Sequence, residues 1–439
     1  MKRTHITRWL VMFPAIATLS LAASAAAQTV VVGTGNPDID VPAVQAAVDQ
    51  GRDVVLKGHF SFNRPPTIPK ATAFAGALAT VLVSKAVTIS GGRDENGHMR
   101  DEDGEMTSIE GGTTPFYVDA AGAGVTIQGL HFIRPKDDAI NVYAVSGLMI
   151  VSCKIDGTGN GSDGIDIVTS DTLPSPANPG HPEKISGTLL IMNNDIDLAG
   201  GMAGDQTVGV LVFSVGVASA EVEAYVSGNT IRNTTEPAID FRRIVGRAYI
   251  ERNVITTGSV STGTPQAIRV VNTGSYLIAH NRIDCGWAQA QGIVAGIVAF
   301  SQFAEWPMER AIVVDNDVTM SPPEGTVFGP NSAGIAVRGF AQGNVVQDNR
   351  IRGRARTALT LYVYPNSMPG TPSNNAFVLN RFDDFEPTLA DIFVGDGVMN
   401  TLIVGKGTVE DHGIGTVILP VAGRGDDKDQ DKDKVRDNR

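Results

Sequence analysis

The sequence predicts a right-handed parallel β-helix, a solenoid in which each coil stacks on the next along one axis. Three observations support this prediction. An Asn-x-apolar triplet recurs along the chain, and a second motif of the form small-apolar-x-apolar lies between successive triplets. The interval from Asn229 to Asn253, 24 residues, is close to one turn of such a helix. Each coil of a solenoid packs only against its neighbours, so a solenoid can be long and still be one domain. A chain of 439 residues therefore does not require several domains.

The Asn triplet predicts a ladder of buried side chains. A buried amide has two donors and an acceptor, so Asn at a fixed turn can bond backbone groups of its own coil and of the adjacent coil. Cys153 and Leu130 take the same position in the two preceding repeats, which brings the visible coils to about nine. The expected ladder residues are Asn194, Asn229, Asn253, Asn281, Asn316, Asn349 and Asn380.

The second motif predicts short strands with alternating side chains. Ile and Val at every second position should point into the bore, and the residue between them should face outward. This register places two parallel lines of residues on the outer surface. The first line is Asn141, Asp166, Leu211, Asp240, Arg269, Ala336 and Thr360, and the second is Tyr143, Val168, Phe213, Arg242, Val271, Arg338 and Tyr362.

Both ends of the chain differ in composition from the repeats. Residues 1–27 have a basic start, an apolar run and small residues at the end, the layout of a secretory signal peptide. The segment from Pro42 to Gln50 predicts a helix that caps the first coil together with a strand from Asp53 to Lys57. Residues 423–439 are mostly charged and predict a disordered tail. The β-helix domain should therefore span residues 28–422.

The charge and the apolar runs limit the location and the partners. The chain has 35 basic and 47 acidic residues, a net charge of −12, which disfavours a nucleic acid partner. No segment after the first 27 residues approaches the roughly 20 apolar residues that a membrane-spanning helix requires. Together with the signal peptide, these observations predict a secreted or periplasmic monomer that is not inserted in a membrane.

The two cysteines are expected to be free thiols. Cys153 stands two residues before Ile155 and Cys285 two residues after Ile283, and four coils separate the two Ile residues. Four coils amount to roughly 19 Å, which exceeds the 7 Å or less that a disulfide requires between Cα atoms. Cys153 should lie inside the bore, and Cys285 should lie at a turn and react slowly with alkylating agents.

Two segments carry a family resemblance. Val87–Gly91 (Val-Thr-Ile-Ser-Gly) and Val125–Gly129 (Val-Thr-Ile-Gln-Gly) resemble repeats of the pectate-lyase-like superfamily of right-handed β-helix proteins, and the resemblance covers about Gln28 to Val421. Many members are extracellular polysaccharide lyases, hydrolases or epimerases. The resemblance therefore implies an extracellular β-helix with a glycan as its partner. It does not extend to the paired Asp motif of polygalacturonases or to the calcium-binding carboxylates of pectate lyases.

The two outward lines combine carboxylates, guanidinium groups and aromatic rings. Such mixtures suit sugars, whose hydroxyl groups need polar partners and whose C–H faces pack on rings. The candidate catalytic residues are Asp166, Asp240 and Arg269, and the candidate substrate-binding residues are Asn141, Tyr143, Arg242, Arg338 and Tyr362.

Three interpretations of these residues are open. Asp166 and Asp240 are two coils apart, roughly 10 Å, which is near the upper limit for an inverting hydrolase with a water between acid and base. A lyase would instead use Arg269 or Arg242 to neutralise a uronate carboxylate. Alternatively, Asp240, Arg242 and Arg269 pair with one another and have no catalytic role.

No metal and no other cofactor is expected, with Ca²⁺ as the alternative. The segment from Asp156 to Gly161 resembles the first half of a calcium loop, but its twelfth position is Ile167 where a bidentate Glu is needed. The histidines do not cluster, which disfavours zinc.

Two classes of function remain open at this point. One is an enzyme that acts on a polysaccharide as a lyase or a glycoside hydrolase, and the other is a non-catalytic β-helix that binds a glycan or a protein at the cell surface. Long segments rich in Pro, Gly and Asn should wall a groove beside the strands. These segments are Thr169–Ile185, Thr256–Gln266, Thr319–Ala333 and Tyr364–Asn375.

Overall fold

The computed structural model describes most of the chain. The described residues are 28–70, 77–93, 97–99, 104–119, 124–157, 163–170, 184–199, 207–215, 219–258, 266–286, 294–303, 305–308, 310–363 and 371–421. The predicted signal peptide and the predicted charged tail lie outside the described residues. No helix in the described part is long and apolar enough to cross a membrane.

The described part contains one helix and 37 strands. In chain order these are β1 (Thr29–Val32), α1 (Pro37–Val48), β2 (Val54–Lys57), β3 (His59–Ser61), β4 (Ile68–Pro69), β5 (Leu78–Ala79), β6 (Val81–Val83), β7 (Val87–Gly91), β8 (Ser108–Glu110), β9 (Phe116–Val118), β10 (Val125–Gln128), β11 (His131–Ile133), β12 (Ile140–Tyr143), β13 (Ser146–Val151), β14 (Lys154–Asp156), β15 (Ile165–Ser170), β16 (Ser186–Met192), β17 (Asp195–Asp197), β18 (Val210–Val215), β19 (Val222–Ser227), β20 (Thr230–Thr234), β21 (Ile239–Arg242), β22 (Gly246–Glu251), β23 (Val254–Thr257), β24 (Gln266–Val271), β25 (Ser275–Ala279), β26 (Arg282–Cys285), β27 (Ala295–Ser301), β28 (Arg310–Val314), β29 (Asp317–Met320), β30 (Ala333–Gly339), β31 (Val345–Gln347), β32 (Arg350–Tyr362), β33 (Ala376–Val378), β34 (Phe385–Val394), β35 (Leu402–Gly405), β36 (Val409–Asp411) and β37 (Val417–Pro420).

The strands form three long faces around one axis, which we name A, B and C. Face A has the order β1-β2-β7-β10-β13-β16-β19-β22-β25-β28-β31-β33-β35-β37. Face B runs from β3 through β8, β11, β14, β17, β20, β23, β26 and β29, and face C runs from β6 through β9, β12, β15, β18, β21, β24, β27 and β30 to β36. Strands β32 and β34 turn the corner and pair in both faces B and C. Every pairing among the described strands is parallel except that of β4 with β5. The chain is therefore an all-β, right-handed parallel β-helix, as the sequence predicted.

Face A has fourteen strands, whereas the sequence indicated about nine coils. The count left out β2 and β7, although the sequence had indicated a strand at Asp53–Lys57 and a repeat at Val87–Gly91, and the prediction missed β1, β35 and β37. These coils lack the Asn-x-apolar triplet on which the count depended, so the estimate of nine was too low.

Apolar columns fill the bore. On face B, one Ile from each of five successive coils stacks in register, and each is at most 1% exposed. Burying such a side chain contributes about 1.5 to 3 kcal/mol to the stability of the folded state. A single coil would leave these side chains exposed, so the contribution requires the neighbouring coils. The column consists of Ile155, Ile196, Ile231, Ile255 and Ile283.

The asparagine ladder is confirmed. The side-chain oxygen of Asn253 accepts from the backbone N–H and the side-chain amide of Asn229, both at 3.0 Å. Its own amide donates to the Val226 carbonyl at 2.9 Å and to the Asn281 side chain at 3.0 Å. The same pattern links Asn194 through Asn380 from coil to coil.

A second, shorter ladder was not predicted. The side-chain oxygen of Asn344 accepts from the backbone of Ala311 at 2.6 Å, and its amide donates to Asn375 at 2.8 Å. Both residues begin an Asn-x-apolar triplet, before β31 and β33. The same sequence signal would have revealed them at a second corner of the coil.

We expect Asn253→Ala to lower the free energy of unfolding by about 1 to 3 kcal/mol, because it leaves buried backbone groups unpaired. Chemical denaturation measures this loss. Thr256→Ala, at an exposed position on the same coil, serves as the control and should change stability by less than about 0.5 kcal/mol. Equal stability of the two variants would contradict a structural role for the ladder.

The N-terminal cap is a helix, as predicted, but its start is earlier. Helix α1 begins at Pro37 and not at Pro42, because Asn36 caps it by accepting from the backbone N–H of Asp38 at 3.0 Å. The buried carboxylate of Asp40 then accepts from the backbone of Ser61 at 2.8 Å, which fixes the helix to β3. The prediction also missed β1, which pairs with β2 beside the helix.

Both cysteines are free and buried. Four register steps separate Ile155 from Ile283, as the sequence predicted. Burial raises the pKa of Cys153 to about 12 and also raises the pKa of Cys285. Cys285 ends strand β26 and is 2% exposed, so the expectation that it lies at a turn is wrong, and its burial disfavours the alkylation expected there.

Candidate functional site

The two predicted outward lines lie side by side on face C. Strand register joins Asn141 to Asp166, Leu211, Asp240 and Arg269 in successive coils. Strand β27 adds one residue to each line, Val298 and Phe300, which the sequence motif had not singled out. The strand pairing therefore confirms that the two lines lie on one face. Within that face, the residues contact one another in three separate groups.

The first group is a cluster of three carboxyl groups. Asp138, Asp163 and Asp166 each place an oxygen atom within 4.8 Å of the others. Asp138 and Asp163 stand two residues before Ile140 and Ile165, which are paired in register. The two coils thus repeat the pattern Asp-small-Ile-polar, and this stacking brings the carboxyl groups together. Extending the second sequence motif by one residue would have identified Asp138 and Asp163.

Gly164 allows the close stacking of these coils. A Cβ atom at Gly164 would lie 2.7 Å from the carbonyl oxygen of Gly209 and 2.9 Å from a methyl carbon of Ile196. Only glycine fits without displacement of the backbone. The turn that carries Asp163 therefore depends on this residue.

Asp138 anchors the cluster. One of its oxygen atoms accepts from the backbone N–H of Asp163 at 3.0 Å, and the other accepts from Asn141 at 2.8 Å and from the Lys70 ammonium at 3.0 Å. Lys70 also bonds Asp137 at 2.7 Å. Burial alone would lower the pKa of Lys70, but Asp138 and Asp137 outweigh it and raise the pKa.

Asp163 and Asp166 hold protons more tightly than ordinary carboxyl groups. Burial, and then the negative charges of Asp166 and Asp138, raise the pKa of Asp163 well above its usual range. Burial, and then Asp138, raise that of Asp166 likewise. One oxygen of Asp166 accepts from Asn141 at 2.7 Å, and the other is buried and has no hydrogen-bond partner among the described residues. That oxygen is a natural position for a proton.

The second group joins Asp240 to two arginines. Arg269 bonds both oxygen atoms of Asp240, at 2.9 and 2.5 Å, and Arg242 bonds one of them at 2.7 Å. Asp240 is completely buried. Burial alone would raise its pKa, but Arg269 and Arg242 outweigh it and lower the pKa. The structure thus shows the predicted alternative, an ion-paired Asp240, and this carboxylate has no free oxygen for proton transfer to a substrate.

Arg242 lies between the two groups. Its guanidinium lies over the ring of Phe213, 5.1 Å from the centroid, and its charge acts on both Asp240 and Asp163. Arg243 lies over the ring of Trp306 at 4.3 Å. Since a third of the Arg242 side chain is exposed, face C presents a cation and aromatic rings next to the carboxyl cluster. The sequence lines contained Phe213 but not Trp306, which lies outside the strands.

Tyr143 is not available as a sugar platform. It is fully buried with Tyr117, Ala79 and Ala144, and Ile68 of the β4–β5 hairpin packs against this cluster. The prediction that its ring binds substrate is therefore wrong for this structure. The hairpin lies far from Tyr143 in the sequence, and the residue pattern of strand β12 does not indicate that a hairpin covers this ring.

Arg338 and Tyr362 form a third, separate group. The Arg338 guanidinium donates to the Tyr362 hydroxyl at 2.9 Å and lies over the Phe300 ring at 4.4 Å. Both residues are buried, at 3% and 7% exposure. Five coils, roughly 24 Å, separate Arg338 from Asp166, and Tyr362 lies one coil further, so they do not share its site.

The predicted groove walls lie mostly outside the described residues. This applies to the greater part of Thr169–Ile185, Thr256–Gln266 and Tyr364–Asn375. The fourth segment, Thr319–Ala333, connects β29 on face B to β30 on face C and is largely exposed around Val327.

The carboxyl cluster is a poor match for Ca²⁺. Calcium takes six to eight oxygen ligands, whereas three carboxyl groups converge here and Asp138 already binds the Lys70 ammonium. In the predicted calcium loop, most of which lies outside the described residues, the Asp156 carboxylate bonds Lys154 and His131, each at 2.7 Å. The cluster suits a shared proton better than a cation.

A further cavity lies on face B. It has a volume of about 670 Å³ and is lined by residues that include Ser108, His131 and Lys154. Face B residues do not belong to the predicted lines, and His131 is paired with Asp156. We therefore assign the candidate site to face C.

Comparisons with known proteins show a likeness of fold. No protein-family model and no curated protein matches the chain. The surface adhesin PfbA of Streptococcus pneumoniae is 10% identical at a TM-score of 0.40, over 83% of this chain and 93% of the adhesin. Tailspike protein 3 of bacteriophage CBA120 is 9% identical at a TM-score of 0.42, over 89% of this chain and 58% of the tailspike. The tailspike of E. coli bacteriophage HK620, solved with a pentasaccharide, is 12% identical at a TM-score of 0.38, over 84% and 68%.

Proposed function

We propose that the chain is an exported glycoside hydrolase that cleaves a polysaccharide on face C, with Asp163 as its nucleophile and Asp166 as its proton donor. The observation that carries this proposal is the pair of neighbouring carboxyl groups that both have a raised pKa. Two carboxyl groups this close hold one proton between them over a wide pH range, which supplies an acid and a base at the same pH.

The hydrogen bonds favour one division of roles. Asp166 is the proton donor, because its side chain is only half-buried and one of its oxygen atoms, which has no partner among the described residues, can hold the proton that passes to the glycosidic oxygen. Asp163 is the ionised partner, because its oxygen accepts from the backbone N–H of Val208 at 2.9 Å, a bond that supports negative charge. Asp138, Asn141 and Lys70 position the pair and do not react.

The spacing favours retention of configuration at the anomeric carbon. Inverting hydrolases need about 6.5 to 9.5 Å between their carboxyl groups, whereas retaining hydrolases need about 5 to 5.5 Å. Oxygen atoms within 4.8 Å place this pair nearer the retaining arrangement. In the first step Asp163 bonds to the anomeric carbon while Asp166 protonates the leaving oxygen. In the second step water releases the sugar and Asp166 regains the proton.

Arg242 and the aromatic rings are the proposed substrate contacts. A guanidinium binds hydroxyl or carboxylate groups of a sugar through two parallel hydrogen bonds, and the Phe213 and Trp306 rings can pack on C–H faces. The Asp240 carboxylate accepts hydrogen bonds from both Arg242 and Arg269 and so holds the Arg242 guanidinium in place. The role of Asp240 and Arg269 is to position the cation and not to transfer a proton.

The test is incubation with a panel of neutral glycans and polyuronates. Reducing ends report hydrolysis, absorbance of an unsaturated product reports lyase chemistry, and NMR of the first product reports its anomeric configuration. We expect reducing ends without unsaturated product, and a loss of about 10²- to 10⁴-fold in kcat for Asp163→Asn and Asp166→Asn. Glycan binding should survive in both variants.

Asp156→Asn is the matched control, because it removes an outward carboxylate on face B of the same coil and should leave kcat unchanged. Full activity in both cluster variants would contradict the assignment of the pair. Binding without any product would replace hydrolysis with the second function left open by the sequence, a β-helix that binds glycans without cleaving them.

A further inference from the structure

Face A carries a continuous apolar stripe on its outer side. Ten successive strands, from β13 to β37, each contribute one outward apolar or tyrosine side chain at the same register position. All ten are half-buried or exposed. We name this column the face A stripe; it consists of Met149, Leu190, Tyr225, Tyr249, Leu277, Ile312, Val345, Ala376, Leu402 and Val417.

The stripe is unlike the outer side of face B. There the outward positions hold charged pairs such as Arg232 with Asp195 and Arg352 with Asp317. On face A, the last four residues of β16 and of β28 are apolar at both inward and outward positions. Strands of this composition are typical of sheets that are covered on both sides. An apolar surface of this length marks an interaction site.

We propose that the face A stripe packs against the same stripe of a second copy of the chain, so that the protein is a face-to-face dimer. This inference concerns assembly and goes beyond the proposed hydrolase activity on face C. It replaces the monomer expected from the sequence.

Length and period point to a second copy. Ten strands at about 4.8 Å spacing give a stripe of roughly 43 Å. A partner must present apolar groups at the same spacing along the same length, and another β-helix of the same sequence does so at every coil. Three outward columns, roughly 14 Å wide, would bury on the order of 600 Å² per copy, which is near the lower end of stable interfaces.

The charges on strand β22 are self-complementary across the stripe. On strand β22, the outward residues are Arg247, Tyr249 and Glu251, with opposite charges on the two sides of the ring. A two-fold axis parallel to the solenoid keeps each coil opposite its own copy and exchanges the two sides of the stripe. Arg247 of one copy then faces Glu251 of the other, and the reverse pair forms by symmetry. In this arrangement Leu277 faces Leu277.

Sedimentation of the purified chain tests the assembly. We expect twice the subunit mass at micromolar concentration and a rise of about a hundredfold or more in the dissociation constant for Leu277→Lys. Val254→Lys is the matched control, because Val254 is an exposed apolar residue on face B. Circular dichroism establishes that both variants are folded. A single copy at about 100 μM would overturn the proposal, as would equal effects of the two lysine variants.

Charge reversal tests the orientation. Arg247→Glu and Glu251→Arg should each weaken the dimer about tenfold, and the double variant should restore it, since it exchanges the two charges. Leu277→Cys should crosslink to itself with a short bis-maleimide, whereas Val254→Cys should not. If the double variant does not recover the dimer, the two copies are not related by a two-fold axis parallel to the solenoid. If the protein is a monomer and binds lipid vesicles through Leu277, a membrane and not a second copy of the chain covers the stripe, and the proposal is wrong.

Discussion

Asp240→Ala is expected to lower the free energy of unfolding by about 3 to 5 kcal/mol, the largest single effect among the charged residues of face C. Asp240 is completely buried and receives hydrogen bonds from Arg269 and Arg242. Its removal leaves the Arg269 guanidinium, which is 12% exposed, without the carboxylate to which it is hydrogen-bonded. Denaturation in urea measures the loss.

Asp317→Ala is the matched control for this change. The Asp317 carboxylate also bonds an arginine through both oxygen atoms, at 2.7 and 2.8 Å to Arg352, but it lies on the outer side of face B and is 38% exposed. Its loss should cost less than about 1 kcal/mol, because solvent screens the pair. Removing both charges with Asp240→Leu and Arg269→Met should recover part of the stability lost in Asp240→Ala. If Asp240→Ala and Asp317→Ala lower the free energy of unfolding by the same small amount, burial does not determine how much the Asp240 ion pairs contribute to stability.

The sequence predicted the register of face C because side chains in a strand alternate with a fixed period of two. Once Ile165 and Ile167 are assigned to the bore, Asp166 must face outward, and parallel stacking places it in line with Asn141 and Asp240. The asparagine ladder followed from the same regularity. These features depend only on local pattern and on repetition, which the amino-acid sequence displays directly.

Burial of the outward residues could not be predicted in this way. Tyr143 is covered by a hairpin that begins near Ile68, and nothing in the strand pattern indicates which distant segment lies over it. Asp240 follows the same alternation as Asp166, yet one carboxyl group has a lowered pKa and the other a raised one. Burial and the negative charge of Asp138 raise the pKa of Asp166, whereas Arg269 and Arg242 outweigh burial and lower the pKa of Asp240.

The carboxyl cluster was predictable in principle and was overlooked. Asp138 and Asp163 lie just before the strands, at a turn that the small-apolar-x-apolar motif does not include. Parallel stacking aligns turns as well as strands, so equal spacing from Ile140 and Ile165 was sufficient to bring them together. Lys70, by contrast, enters the cluster from the segment next to β4 and had no such signal.

Asp166→Asn should stabilise the protein at pH 8 while it lowers kcat about 10²- to 10⁴-fold. The native state raises the pKa of Asp166 above that of the unfolded chain, which is near 4, so the folded protein binds the proton more tightly. As the pH rises above about 4, the unfolded chain loses this proton first, and the wild-type protein loses stability until the native carboxyl group also ionises. Asparagine removes the titration, so the melting temperatures of variant and wild type should agree near pH 4 and diverge as the pH rises.

Asp156→Asn should show the opposite sign. Burial alone would raise the pKa of Asp156, but the hydrogen bonds from Lys154 and His131 outweigh it and lower the pKa. That carboxylate therefore stabilises the native state at neutral pH, and the contribution disappears as the pH falls through its native pKa. Asp156→Asn should thus melt below the wild type at pH 7 and close to it in acid. Thermal melts of the three proteins from pH 3 to pH 9 make the comparison. If Asp166→Asn melts below the wild type at pH 8, the cluster is stabilised by its charge, and Asp166 is not the proton donor.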